Sequence, residues 1–461
     1  MSRLKPLLFL LLAMSGSASA WVRLPAYFGD NMVLQQGRPL VFAGWGDPGE
    51  RIDVSDGRAP QSTVVDRDGR WRIELPARGV STGLDITVRG AHNVIELHNV
   101  AIGELWFAAG QSNMAWPMAW IAGRAGDIPT SPQPDVRIMS VHQHPSRRAE
   151  ADIEGDWYVA TPDTVRFYSA VAYHFARVLQ AQLGVPVGIM ESSVGGTRIE
   201  PWLPTATARP LFQFYPDLDN WHSRTNGPGA LYNGMVAPLG PLPIRGVIWY
   251  QGASNVGDGG LYLYKLSALI KQWRALWNAP NLPFFYAQVA PLDYSPLIPH
   301  LKPESLQHLW EAQIDVLAVP GTGIVPTIDL NPKAQLHPDQ KREVGERFAM
   351  LALHRVYGRP VVDEGPRYLG HEISASSIRI RWTGNAAGLH PQQGNEILGF
   401  EVAGSDGVFR PAVARVDGDA VVVASASVPK PRAVRYAWSD RPVGNLVNGA
   451  GWPALPFEAP R

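Results

Sequence analysis

Ile102-Gly103-Glu104-Leu105-Trp106-Phe107-Ala108-Ala109-Gly110-Gln111-Ser112 joins an apolar run to a small-residue turn and a serine. Its apolar run predicts a strand, and the small residues Ala108-Ala109-Gly110 predict a sharp turn that presents Ser112 at a sheet edge. Buried-strand patterns recur at Val185–Ser193 (VPVGIMESS), Ile244–Gly252 (IRGVIWYQG) and Phe284–Ala290 (FFYAQVA), with Gly321–Leu330 (GTGIVPTIDL) as one more. Helical patterns alternate with them. Phe167, Val171, Phe175, Val178 and Leu179 recur at helical spacing, and Gly184 follows as a C-cap. Tyr262–Trp277 reads as another helix, and Pro338–Tyr357 as a last one, with Pro338 well placed at its first position. Strands alternating with helices predict an α/β layered domain on a parallel sheet. Ligands of such sheets sit outside the carboxyl ends of the strands, where every motif below falls.

Outward from this middle the chain changes character. Residues 21–100 carry short β-patterned runs, such as Pro39–Trp45, Arg51–Asp56 and Arg70–Ala77, separated by Gly, Asp and Pro turn signals. Residues 362–461 look alike, with Ser377–Gly384, Ile397–Gly404 and Asp419–Ala426. Both ends predict sandwich-like β regions, either separate or packed together. At 461 residues the chain also exceeds the ~250–300 residues at which single cores stop growing. The expected order is a leader over 1–20, a β-rich region over 21–100, a catalytic domain over 101–361 and a β-rich region over 362–461.

The leader is predicted from Arg3 and Lys5, the apolar run Leu7–Met14 and the cleavage signal Ala18-Ser19-Ala20. That run is shorter than the ~20 residues needed to span a bilayer. The mature chain is therefore expected to begin near Trp21 and to be exported, to the periplasm or the cell exterior, without a membrane span. Lys+Arg and Asp+Glu balance at 41 each, so no net field steers the protein toward nucleic acid. The absence of cysteine excludes disulfides, thiolate catalysis and cysteine-based metal sites. Sixteen Trp fit core packing, with sugar stacking as the functional alternative.

Ser112 is the candidate nucleophile, and a serine hydroxyl needs a neighbouring base to take its proton. The competing reading makes it the N-cap of the next helix. His337, in LHPDQKREVGERFA, is the candidate base on a loop before a helix. Acyl transfer also requires preorganised donors for an oxyanion, for which Gly195 and Asn255 are candidates.

Taken in chain order, this Ser, Gly, Asn and His resemble the marks of the SGNH hydrolase superfamily. Longer blocks are similar to its sialate O-acetylesterase-like group of carbohydrate acetyl esterases. They are LPAYFGDNMVLQQGRPLVFAGWGDPGE (Leu24–Glu50), GELWFAAGQSNMAWPM (Gly103–Met118), ESSVGGTRIEPW (Glu191–Trp202), LYNGMVAPLGPLPIRGVIWYQGASN (Leu231–Asn255) and RYAWSDRPVGNLVNGAGWPALPFE (Arg435–Glu458). The resemblance implies a three-layer α/β/α domain flanked by the β-rich regions. It also implies removal of O-acetyl groups from a sugar through an acetyl-enzyme, without metal or cofactor. Ser112 would attack, His337 would serve as base and then acid, and Ser112, Gly195 and Asn255 would hold the oxyanion. Gln111, Gln251 and Arg198 are the expected substrate contacts, with a structural ion pair as the equal alternative for Arg198.

Two positions depart from the family pattern. Ala253 stands where W-Y-Q-G-E-S-N has its Glu, and Ala334 and Gln335 precede His337 where an Asp is common. Asp329 is the first replacement acid, with Glu191, Glu200 or an acid-free Ser–His dyad as alternatives. Within the esterase reading, sialic acid, xylan and xyloglucan all remain open as acetylated substrates. A carbohydrate-binding protein with weak or lost catalysis is the alternative from another class.

Overall fold

The computed structural model describes residues 21–460 apart from 122, 124, 213–224 and 226, so the expected leader lies outside the described residues. The chain opens with β1 (Val33–Gln35), β2 (Leu40–Trp45), β3 (Arg51–Ser55), β4 (Gln61–Val64), β5 (Arg70–Leu75) and β6 (Ser81–Arg89). β2 pairs with β5, and β3 pairs with β4 and β6, all antiparallel. Strict alternation turns Trp71, Ile73 and Leu75 of β5 inward, where they join Phe42, Ile52, Val54, Ile86 and Val88.

β7 (Val94–Gly110) is one unbroken strand of 17 residues with two jobs. Its first half pairs antiparallel with β6, and its second half is the central parallel strand of the α/β sheet. The boundary expected near residue 100 therefore falls inside a strand. The N-terminal β residues also share one continuous core with one face of the α/β domain.

After β7 come α1 (Ser112–Ala115), β8 (Gln133–Val141), β9 (Gly155–Ala160), α2 (Ala170–Leu183) and β10 (Val187–Ser193). Then follow α3 (Thr205–Phe212), β11 (Gly246–Tyr250), α4 (Tyr262–Leu276), β12 (Phe284–Ala287), α5 (Ser305–Asp315), β13 (Thr322–Val325) and α6 (Lys341–Arg355). The sheet order is β13-β12-β11-β7-β10-β8-β9, parallel except for the final antiparallel pair. Neighbouring residues on each strand point to opposite layers. Trp106, Ala108, Ile189, Ile248, Phe285 and Val325 pack with α2 and α6. Phe107, Ala109, Met190, Trp249, Tyr286 and Ile324 pack with α4 and α5. Two helical layers around one parallel sheet give the expected α/β/α architecture.

Helix ends follow their local chemistry. The Ser169 hydroxyl accepts from the Ala172 amide at the start of α2, and Gly184 closes it in the left-handed conformation. Phe167 belongs to the preceding turn rather than to this helix. α6 begins at Lys341, not at Pro338, because side chains engage the carbonyls on either side of His337, as described below. β14 (Arg367–Ile373), β15 (Ile378–Thr383) and the strands that follow build a separate antiparallel core around Ile380, Trp382, Phe400, Val421 and Tyr436. The two β-rich ends thus do not share a core. Among the described residues no helix is long and apolar enough to cross a membrane.

Candidate active site

The nucleophile turn is set by a close approach between strands. Gly110 has φ 147°, and a Cβ there would sit 2.3 Å from the Tyr250 carbonyl oxygen. Only glycine lets β7 leave the sheet so near β11. The Gln111 amide donates to that Tyr250 carbonyl at 3.0 Å, and the Gln111 carbonyl accepts from Met114 and Ala115. Gln111 is therefore the N-cap of α1, and the Ser112 hydroxyl is not used for capping. That hydroxyl lies 2.9 Å from His337 Nε2.

The loop bearing His337 is held on both sides by side chains. Asn113 Nδ2 donates to the Leu336 carbonyl at 3.1 Å. Lys341 Nζ donates to the Pro338 carbonyl and to Asn113 Oδ1, each at 2.7 Å. Trp116 stacks on the imidazole with ring centroids 4.0 Å apart and planes 20° from parallel. Burial, then the Lys341 charge, depress the pKa of His337, which favours the neutral ring a general base requires. Lys341 is itself pushed down to about 7 by burial, with Asp339 opposing the shift. Lys341, Asn113 and Trp116 were missed from sequence. One signal was available, since Lys341 falls on the apolar stripe of α6 with Val344, Phe348 and Leu351.

Among the described residues no carboxylate lies within 4 Å of a His337 ring nitrogen, and the ring's one hydrogen bond is to Ser112. Asp329, the expected acid, is instead clasped by Arg347 through both oxygens, at 2.7 and 2.6 Å. Glu191 accepts from the Ser193 hydroxyl. Glu200 is bound by Arg198 and Lys265. What remains is a Ser–His dyad whose ring is oriented by stacking and by a pinned loop.

Of the expected oxyanion donors, two stay beside the Ser112 hydroxyl. α1 starts at Ser112, where a first-turn N–H has no intrahelical partner. A Cβ on exposed Gly195 would lie 3.4 Å from Ser112 Cβ, so this glycine's backbone passes close beside Ser112. Asn255 does not serve. It is fully buried, its amide donates to Glu200 and Asp258, and its oxygen accepts from Ile199 and Gln251.

The expected substrate contacts are likewise turned inward. Gln251 donates to Thr197 and Asn255 and accepts from Tyr262. Arg198 binds the Ser254 carbonyl, Glu200 and Asp258. With Lys265, these residues form a charge-balanced knot of two cations and two carboxylates that fixes the turn carrying Gly195. Gln111 is also buried, and its side-chain oxygen accepts from the Gly252 amide.

A serine at the carboxyl end of the central strand of an α/β/α sheet, with an imidazole against its hydroxyl, is the arrangement that an ester hydrolase of the serine type requires. The family described as carbohydrate esterase, sialic acid-specific acetylesterase matches residues 102–354. The chain belongs to that family, and it is a carbohydrate acetylesterase of the sialate O-acetylesterase type. It is 27% identical to human sialate O-acetylesterase over 393 residues, which cover 76% of this chain and 74% of the relative. The mouse sialate O-acetylesterase is 25% identical over 82% of this chain and 81% of its own length. A solved carbohydrate acetylesterase from Xanthomonas citri superposes with a TM-score of 0.89 at 33% identity, over 95% of this chain and all of that one. The resemblance read from the sequence blocks is thereby borne out.

Proposed function

We propose that the protein is a serine esterase that removes O-acetyl groups from carbohydrates through an acetyl-enzyme formed on Ser112. The contact of 2.9 Å between His337 Nε2 and Ser112 Oγ carries this reading. Neutral His337 takes the hydroxyl proton as Oγ attacks the acetyl carbonyl, and the Ser112 and Gly195 amides receive the oxyanion. Collapse expels the sugar hydroxyl, which takes its proton from His337. Water activated by the same ring then releases acetate. The imidazolium formed in each half lacks a carboxylate partner, and losing that partner lowers kcat by ~10⁴ in one protease triad. A slow enzyme is expected.

Wild-type protein should hydrolyse a chromogenic acetyl ester, and Ser112→Ala should abolish it. Acid-quenched wild type should carry one acetyl group on Ser112 by mass spectrometry. Turnover unchanged in Ser112→Ala removes the nucleophile assignment, whereas absence of turnover in the wild type returns the site to a carbohydrate-binding role.

A neutral plant polysaccharide, xylan or xyloglucan, gains over sialic acid from one observation. Arg198, the cation expected to meet a sialate carboxylate, is matched by Glu200 and Asp258. Acetate release from acetylated xylan, xyloglucan and sialosides separates these substrates. Export to the periplasm or cell exterior rests on the leader pattern, and a mature N-terminus at Trp21 in the exported fraction tests it.

A further inference from the structure

Large aromatic side chains left in water singly are ordinary, but contiguous ones beside a reactive site mark a binding surface. Two exposed aromatic side chains lie on neighbouring turns, and one of them is linked through Trp116 to His337. Trp120 is 65% exposed and Phe167 is 78% exposed. Each sits at the end of a single turn, Met118–Trp120 and Val165–Phe167, and the two turns pack on one another. Each turn buries its first residue, Met118 or Val165, and presents its last, the aromatic, to solvent. The Met118 amide donates to the Tyr168 carbonyl at 3.0 Å, which fixes the pair of turns together.

The Trp120 ring is also connected to the chemistry. It packs near-perpendicular to Trp116, with centroids 5.2 Å apart and planes 79° from parallel, and Trp116 lies flat on His337. Trp116 gives one face to the imidazole, whereas Trp120 leaves most of its surface in water. We infer that Trp120, extended by Phe167, is the platform on which a pyranose ring of the acetylated glycan stacks while its ester reaches Ser112. The apolar face of a sugar ring matches an indole face, and the sugar hydroxyls at its rim stay in water. This assignment rests on the esterase reading above and adds to it the surface that recognises the sugar.

The test compares wild type, Trp120→Ala, Trp120→Phe and Phe167→Ala on p-nitrophenyl acetate, an acetylated xylo-oligosaccharide and an O-acetylated sialoside. The readout is kcat/KM on the glycan ester divided by kcat/KM on the small ester. On whichever glycan wild type hydrolyses, this ratio should fall about tenfold in Trp120→Ala. It should fall less in Phe167→Ala and recover in Trp120→Phe, with the loss lying in KM. A ratio equal to wild type in Trp120→Ala overturns the platform while leaving the serine mechanism standing. Equal losses on both ester classes also overturn it, because the indole then acts only through Trp116 and His337. Wild-type turnover surviving Ser112→Ala would instead sink the esterase mechanism itself.

Discussion

Lys341 Nζ lies 2.7 Å from Asn113 Oδ1, so the residue after Ser112 is tied to the fourth residue after His337. The same ammonium holds the Pro338 carbonyl, and Asn113 holds the Leu336 carbonyl. The peptide groups around His337 are thereby fixed relative to Ser112 without any carboxylate on the ring. Lys341→Met keeps an unbranched side chain one atom shorter and removes both bonds. A small misplacement of a catalytic group can cost about 10²-fold, so kcat should drop by about 10- to 100-fold while KM changes less. Steady-state kinetics on a chromogenic acetyl ester decide it, and a wild-type kcat would show that the loop holds itself.

The same variant has a second signature in pH. His337 acts as base only when neutral, and burial and the Lys341 charge hold its pKa below the ordinary value. The acidic limb of kcat/KM, which reports the free enzyme's base, is therefore expected below that ordinary value. Removing the Lys341 charge raises the pKa of His337, so the limb should move to higher pH. A limb that stays in place, or moves lower, contradicts the electrostatic role of Lys341.

Asn255 tests where the family asparagine works in this chain. Losing a true oxyanion donor costs about 10²–10³ in kcat. Here its amide is bonded to Glu200 and Asp258 inside the buried knot. Asn255→Ala would leave those groups short of partners, at about 1–3 kcal/mol for each unsatisfied atom. Thermal unfolding should begin at a clearly lower temperature, with kcat of the folded enzyme reduced less than about tenfold. An unchanged melting temperature with a hundredfold loss of kcat would restore the oxyanion role.

Asp329 is distinguished the same way. A triad acid replaced by its amide loses about 10⁴ in kcat, whereas Asp329→Asn should lose less than about tenfold. Its carboxylate serves Arg347, whose guanidinium also holds the Pro326 carbonyl. The effect should therefore appear as a lowered melting temperature. A loss of several thousandfold without destabilisation would make Asp329 part of the catalytic set.

These results separate what the sequence exposed from what it hid. The parallel sheet was legible because strands such as Val187–Ser193 are buried on both faces and therefore read as apolar runs. Ser112, Gly195 and His337 were legible from ordered blocks and lie together at the strand ends. Asn255, Gln251 and Arg198 come from equally clear blocks. Their direction was not legible, because inward partners such as Asp258, Tyr262 and Lys265 lie outside those motifs. Asp329 was a neighbour in sequence only, since Arg347 reaches it from α6. The domain border near residue 100 was hidden because β7 changes partners without breaking.

Glu191 offers a prediction about stability rather than rate. Desolvation raises its carboxyl from 4.5 to about 7, against the lowering effect of its hydrogen bond from Ser193. A group whose folded pKa exceeds its unfolded one contributes stability that is fully present below the unfolded value. That contribution is lost as pH rises through the folded value. Between those limits the unfolded chain releases a proton that the native state retains, and above about pH 7 the native protein must hold a desolvated charge. Glu191→Gln carries no such proton, and its amide oxygen still accepts from Ser193. The melting temperature of the variant should therefore rise relative to wild type as pH increases from about 5 to about 8. Scanning calorimetry at several pH values measures the difference directly. A difference that stays constant across that window, or narrows toward high pH, would mean that Glu191 is already ionised in the native protein.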